Sequence, residues 1–221
     1  MTITYPPSLV RKDHLAGPEN EMTFPQDGAL TDGKGAVQHT YDGVAFVVNT
    51  VEGLTAYNYG DGVMNKLVLV LDGVVVSTLD NGTAGAGGSV TLGTLPKGLI
   101  QFLSSSMFFS SLTSDGTGLV AAQVLDIGVG TTAADSTTVD ALSTVAQQVC
   151  NKDDLTLSSL SLLNQFQGTV LTGSATSIDG STTAATLYLN VCGEVLTSAD
   201  DGTLTVSGRI EINYVNAGKA A

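Results

Sequence analysis

Tryptophan is absent from this 221-residue chain and aromatic residues make up only 5% of it, six Tyr and six Phe. Platforms for stacking sugars are therefore scarce, which weighs against a glycosidase or a carbohydrate-binding module. Charge is scarce as well, at 13% of residues against the roughly 25% usual in globular chains. The surface must then be covered largely by Thr, Ser, Asn and Gly. Positive charge is the scarcest: 8 Lys and Arg against 21 Asp and Glu leave a formal net charge of −13 and a pI near 4.1. Such a molecule repels phosphate backbones and anionic lipid, so neither nucleic acid nor a membrane is expected as its principal partner.

The two histidines, His14 and His39, have no Cys, His or acidic partner at a ligand-like spacing, which argues against a metal centre or a histidine general base. Cys150 and Cys192 are the only cysteines and can form one pair at most. A chain this long needs no covalent staple, and two reduced, partly buried thiols are expected. No apolar run reaches the roughly 18 residues of a membrane span. The opening MTITYPPSLVRKDH lacks the basic-then-apolar order of a secretory signal, so a soluble protein made in a cytoplasm is expected.

Glycine is abundant, with 26 residues, and hydrophobic residues reach 43%. With a mean hydropathy of +0.25, the bulk of the chain can bury enough apolar surface to fold. Four of the five prolines, Pro6, Pro7, Pro18 and Pro25, fall before residue 26, beside Arg11 and Lys12. Helix and central strand are both disfavoured there, and residues 1 to 34 read as an extended arm. Residues 35 to 221 read as a single antiparallel β domain, because short β-branched runs alternate with Gly and Asp turn signals. The expected fold is all-β, a sandwich or barrel-like domain with at most one or two short helices.

Three hairpins are expected: at Asp42-Gly43, at Asp72-Gly73, and at ADDGT between TLYLNVCGEV and LTVSGRIEINYV. Asp-Gly readily supplies the positive φ angles of a tight turn. The last strand has the clearest two-residue period. Leu204, Val206, Ile210, Ile212 and Tyr214 share one face, and Thr205, Ser207, Arg209, Glu211 and Asn213 the other. The strand before it turns Leu187, Leu189 and Val191 inward and leaves Tyr188, Asn190, Cys192 and Glu194 on a half-exposed face or an interface. The first half of NGTAGAGGSVTLG reads as a loop ahead of a strand over 89–94. DSTTVDALSTVAQQVC carries Val139, Leu142, Val145, Ala146 and Val149 at helical spacing and predicts one short helix. LTLSSLSLLNQF fits helix or strand.

Motifs for chemistry are missing. No GxSxG surrounds a serine, no GxxxxGK[ST] is present, and no helical pattern follows GAGGSV. Asp153-Asp154 and Asp200-Asp201 sit beside turn signals, where carboxylates commonly bond to backbone. TSIDGST and ADDGT hold only a fragment of a calcium loop. No catalytic residue, metal or cofactor is expected.

Three stretches look familiar together: LPKGLIQF at residues 95–102, DIGVGTTAADS at 126–136, and the ending AATLYLNVCGEV…DDGTLTVSGRIEINYVNAG. In this order they resemble a family of structural proteins encoded by tailed bacteriophages, over residues 95 to 218. The Pro-rich arm is not part of the shared pattern. The resemblance implies a virion component made in the host bacterial cytoplasm. Among virion roles it points to a decoration or cement protein on the capsid exterior, with the phage major capsid protein and itself, as a homotrimer, for partners. On that reading the arm, with Pro6, Pro7, Arg11 and Lys12, and the aromatics Phe102, Phe108, Phe109 and Tyr188 are the candidate interface residues, although Phe102, Phe108 and Phe109 also suit a core. A tail, baseplate or head-fibre subunit and a free surface-binding module are the competing readings.

Overall fold

The computed structural model describes residues 36–37, 46–61, 64–80, 86–114, 124–138, 141–156, 164–166, 177–193 and 201–218. The expected arm, with Pro6, Pro7, Arg11 and Lys12, lies outside them. The strands are β1 (Ala36–Val37), β2 (Val47–Val48), β3 (Leu54–Asp61), β4 (Met64–Asp80), β5 (Ala86–Thr94) and β6 (Leu99–Ser114), followed by β7 (Val124–Gly130), β8 (Cys150–Thr156), β9 (Asn164–Phe166), β10 (Ser177–Asp179), β11 (Thr186–Gly193) and β12 (Gly202–Asn216). They form one sheet in the order β10-β6-β12-β4-β5-β11-β7-β8, with β3 beside the first half of β4, β2 beside β5 and β9 beside β6. Every pairing is antiparallel except the short contact of β1 with β3.

The sheet curls into a half-barrel around a single main core, so the all-β, barrel-like expectation holds. On its inner side lie Leu67, Leu69 and Leu71 of β4, Leu125, Ile127 and Val129 of β7, and Leu187, Leu189 and Val191 of β11. The five β12 residues assigned inward by alternation are all fully buried. Each such aliphatic side chain contributes roughly 1.5–3 kcal/mol of transfer free energy. The far ends of the curl are tied together where the Ser105 hydroxyl of β6 donates to the carbonyl of Val149, just before β8, at 2.5 Å.

What bends the sheet is a row of bulges across three neighbouring strands. Ser207 of β12 faces two residues of β4, Asp72 and Gly73, because Val206 pairs with Val74 and Gly208 with Leu71. On its other side β12 meets an extra residue of β6, Ser110, between Ser111 and Phe109. An unpaired residue shortens one strand relative to its neighbour, bending it and increasing its twist. Asp72-Gly73 therefore does not make the expected hairpin. Gly73 does take the positive φ that Asp-Gly supplies, at 73°, and its N–H donates to Ser207 Oγ at 3.0 Å. The chain runs straight on, and β4 is one strand of 17 residues. Its inward parity switches at the bulge, from odd positions up to Leu71 to even positions from Val74.

The expected strand pair at ADDGT is also absent: β11 lies between β5 and β7, while β12 lies between β4 and β6. Asp42-Gly43 falls outside the described residues, and the runs flanking it pair elsewhere, β1 with β3 and β2 with β5. Gly87 and Gly88, expected in a loop, are strand residues of β5. A Cβ on Gly88 would sit 1.9 Å from the carbonyl oxygen of Ser77, and one on Gly87 2.3 Å from that of Asp135. Glycine is there because other backbone comes too close for a side chain.

The helix expected between Ser136 and Cys150 is a single 3-10 turn, Thr144–Ala146, in an irregular segment. Leu142, Ala146 and Val149 are buried as the helical spacing implied, whereas Val145 is exposed and Val139 is not among the described residues. Side chains from the sheet replace the missing helical hydrogen bonds. Asn190 Oδ1 accepts from the N–H of Ala134 at 2.8 Å, and its Nδ2 donates to the carbonyls of Thr132 and Ala146 at 3.0 and 2.6 Å. Asp126 Oδ2 accepts from the N–H of Leu142 at 3.1 Å. The segment consequently covers the outer side of β11. Asn190 and Cys192, expected on a half-exposed face, are fully buried, Cys192 in a small second cluster with Ala134, Leu142 and Ala146. Cys150 and Cys192 are both free thiols.

Candidate docking face

The stretches that carry the phage resemblance hold one another. Asn190 of TLYLN grips the GVGTTAAD segment through the bonds above. In LPKGLIQF, the Lys97 carbonyl accepts from Asn216 Nδ2 at 3.2 Å, and Leu99 exchanges backbone bonds with Ala217 and Gly218. These residues fasten the frame from inside and present no reactive group.

Outward-pointing groups of β3, β4, β12 and β6 make a different surface. β3 alternates, so Thr55, Tyr57 and Tyr59 share the outer side, with Tyr57 49% and Tyr59 40% exposed. On β4 the outer residues of the first half are Met64, 58% exposed, then Lys66, Val68 and Val70. Register places Tyr59 against Lys66, Lys66 against Asn213, and Asn213 against Ser104. Asn213 Nδ2 donates to Ser104 Oγ at 2.8 Å. Tyr59, Met64, Lys66, Leu103, Ser104 and Asn213 line one depression of about 440 Å³.

Beside the depression lies a compact charged group. Lys66 Nζ is 2.7 Å from Glu211 Oε2, Arg209 Nε is 3.0 Å from Glu211 Oε1, and the Arg209 guanidinium sits 4.9 Å from the centre of the Phe108 ring. Exposed pairs of this kind add at most about 1 kcal/mol to stability. The face thus combines a compact charged group with aromatic, Met and Arg side chains of the kind enriched in protein interfaces.

The sequence-derived interface residues separate here. Phe108 lies on this outer face. Phe102 and Phe109 do not: each is only 3% exposed and belongs to the core. β6 carries two extra residues relative to β12, Leu103 and Ser110, and each reverses which positions face inward. Ile100 and Phe102 point in, then Ser105, Met107 and Phe109, then Leu112. Tyr188 is half-buried on β11 between β5 and β7, in a different part of the sheet. Tyr57, Tyr59, Met64 and Leu103 escaped the sequence reading. The alternation in Thr55-Ala56-Tyr57-Asn58-Tyr59 was the available signal for the two tyrosines.

Among the described residues, the titratable groups with shifted pKa values move away from neutrality. Burial pushes the Cys150 thiol up to about 11, against a small opposing effect of Ser105, so it carries almost no thiolate. Asp135 and Asp179 are exposed turn carboxylates held below the ordinary range, by the Thr137 and Ser181 hydroxyls first and by the backbone N–H groups of the same residues. Asp201 accepts from the backbone N–H of Asp80 across the sheet at 3.0 Å. Among the described residues, no three His, Cys, Asp or Glu side chains gather where they could hold a metal ion. No described helix is long and apolar enough to cross a membrane.

Tyr214 is fully buried, and its hydroxyl has no hydrogen-bond partner among the described residues. Burial raises its phenol to about 12, with the nearby Asn58 side chain opposing slightly. In the unfolded chain Cys150 and Tyr214 ionise near their ordinary 9.0 and 10.0. Both folded values are raised, so the stability contributed by the neutral groups is fully present below the unfolded values of 9.0 and 10.0. That contribution is lost as pH rises from 9 to 11 for Cys150 and from 10 to 12 for Tyr214, roughly 3 kcal/mol for each group. Denaturant unfolding followed against pH should show this alkaline loss. Tyr214→Phe should flatten it above pH 10 while leaving stability at pH 7 unchanged or raised by up to about 1 kcal/mol, since an unpaired buried hydroxyl is removed. A clear loss at pH 7 would mean that the hydroxyl is bonded.

No family model matches the chain, and neither the curated proteins nor the solved structures contain a match to it.

Proposed function

We propose that this protein is a non-enzymatic virion component, a decoration or cement protein that binds the outside of a tailed-phage head and stabilises contacts between major capsid protein subunits. One observation carries the reading. The three stretches that in their order resemble tailed-phage structural proteins tie the frame together, and the described residues turn outward a face of apolar and ion-paired side chains and gather no cluster of three His, Cys, Asp or Glu that could hold a metal ion.

Two physical arguments support it. A head filled with compressed DNA is pushed outward, and a cement protein resists that pressure through many modest contacts bridging neighbouring subunits; no reaction is required. A net charge of −13 suits the outer surface, because the packaged polyanion would repel such a protein from the interior.

The test mixes purified protein with assembled heads that lack it and measures co-sedimentation. Wild-type protein should bind, and a Tyr59→Ser, Leu103→Ser double variant that still melts like wild type should bind at least tenfold more weakly, as loss of a central apolar contact of about 1.4 kcal/mol or more requires. No binding by wild type would end the proposal. Undiminished binding by the variant would place the contact on another face.

A further inference from the structure

The chain's own first residues supply an occupant for the depression on the outer face. β1 pairs Ala36 with Gly60 in parallel register, and Gly60 is itself part of the wall of that depression. Residues 1–35 therefore join the frame at the rim of the face on which Tyr57, Tyr59, Met64 and Leu103 stand exposed. Because the pairing is parallel, the chain reaches Ala36 from the Tyr59 side. From Ser8 to Ala36 is 28 residues, a tether with a root-mean-square reach of about 30 Å. The way from Gly60 to Leu103 crosses from β3 over β4 and β12 to β6, three strand spacings or about 14 Å. The arm reaches the whole depression easily.

Sequence selects the part of the arm that fits. Residues 1–10 carry no charged side chain, whereas from Arg11 to Lys34 no uncharged run exceeds five residues. Pressing a charged side chain onto an apolar surface costs its hydration, so the first run is the one able to lie there. Within it, Tyr5-Pro6-Pro7-Ser8-Leu9-Val10 has three apolar anchors and two prolines. Proline has no N–H, so its backbone can leave water without stranding a donor. Pro-Pro also holds the extended polyproline form before any contact is made, and segments of that form dock on aromatic-lined grooves. Six residues at about 3.1 Å each span about 19 Å, enough to cross from Tyr59 to Leu103.

We infer that residues 5–10 dock on this depression within the same chain, with their apolar side chains against Tyr59, Met64 and Leu103 and with Arg11 and Lys12 left in water at the rim. The arm is a removable cover. A tethered segment meets its site at an effective concentration in the millimolar range, so modest contacts keep the apolar face shielded until a stronger partner displaces them. The cover itself does not depend on the capsid reading. Its part in head binding, where it competes for the same side chains, rests on that reading.

The test is disulfide trapping in the full chain, without heads. Ser8→Cys is combined with Leu103→Cys in the depression, or with Thr113→Cys on the exposed side of the far end of β6. The native thiols Cys150 and Cys192 are buried. In dilute solution, mild oxidation should join positions 8 and 103 within one chain, read as a monomer whose two new thiols no longer take an alkylating reagent. The tether alone favours the nearer site, so the deciding comparison keeps its length. Adding Tyr5→Ser and Leu9→Ser should slow the bond to position 103 about tenfold, as the loss of about 1.4 kcal/mol of contact requires, and leave the bond to position 113 no slower. A second readout needs no new cysteine: in the otherwise native chain the same two serines should let peroxide oxidise exposed Met64 several-fold faster, while fully buried Met107 stays slow. Trapping or Met64 oxidation indifferent to the serines, or bonds formed mainly between chains, would overturn the inference. Head binding is scored separately. Trapping by a protein that ignores heads spares the cover and refutes the capsid reading, and head binding without trapping does the reverse.

Discussion

Gly208→Ala should cost the protein about 3 kcal/mol or more, while Gly73→Ala, across the same bulge, should cost about 1 to 2. Gly208 has φ 151°, and a Cβ there would lie 2.0 Å from the carbonyl oxygen of Phe108 and 2.9 Å from the Cα of Phe109. Those atoms belong to the neighbouring strand and cannot rotate away. Relief would require β6 and β12 to separate at the point where the bulges of β4 and β6 flank β12 and the sheet turns. Gly73, with φ 73°, has nothing within 4 Å of its virtual Cβ, so alanine there meets only the backbone penalty. Denaturant unfolding midpoints of the two variants supply the check. Equal costs would show that the row of bulges is not what holds the curl.

Asn190→Leu is the second large effect expected, a loss of about 3–5 kcal/mol. The substitution keeps the volume but strands the N–H of Ala134 and the carbonyls of Thr132 and Ala146 beneath the covering segment, away from water. Because that segment also buries Cys192, its loosening has a direct chemical readout. Cys192 should become alkylated by a thiol reagent under native conditions while Cys150, in the main core, stays protected. An Asn190→Leu variant as stable as wild type, with Cys192 still shielded, would contradict the clamp.

Where the backbone keeps a strict period, the sequence was enough to read the structure. Alternation along residues 204–214 assigned each inward residue of β12 correctly, because β12 itself carries no extra residue. The same alternation could not have told Phe108 from Phe102 and Phe109, which the resemblance offered as interface residues, since Leu103 and Ser110 each reverse the parity of β6 and an extra residue has no signature until its partner strand is known. Asp72-Gly73 shows a related limit: the positive φ was legible, but a tight turn and a bulge use the same dihedral, and only Ser207 opposite tells them apart. Gly87 and Gly88 read as loop because their purpose is the proximity of Ser77 and Asp135, both far away in sequence. The helical spacing of Leu142, Ala146 and Val149 marked burial correctly and conformation wrongly, because Asn190 and Asp126 bond to the segment's backbone in place of a helix. The outer face was visible only as an alternation of tyrosines whose neighbours Met64, Leu103 and Arg209 are brought in by register.

The capsid reading, under which a tailed phage encodes this chain, is tested most directly on purified heads: quantitative mass spectrometry of the copy number, with antibody labelling of intact particles to locate the protein. The capsid reading predicts an abundance approaching that of the coat protein and labelling over the outer shell. A handful of copies confined to a tail or fibre, or none, would contradict it.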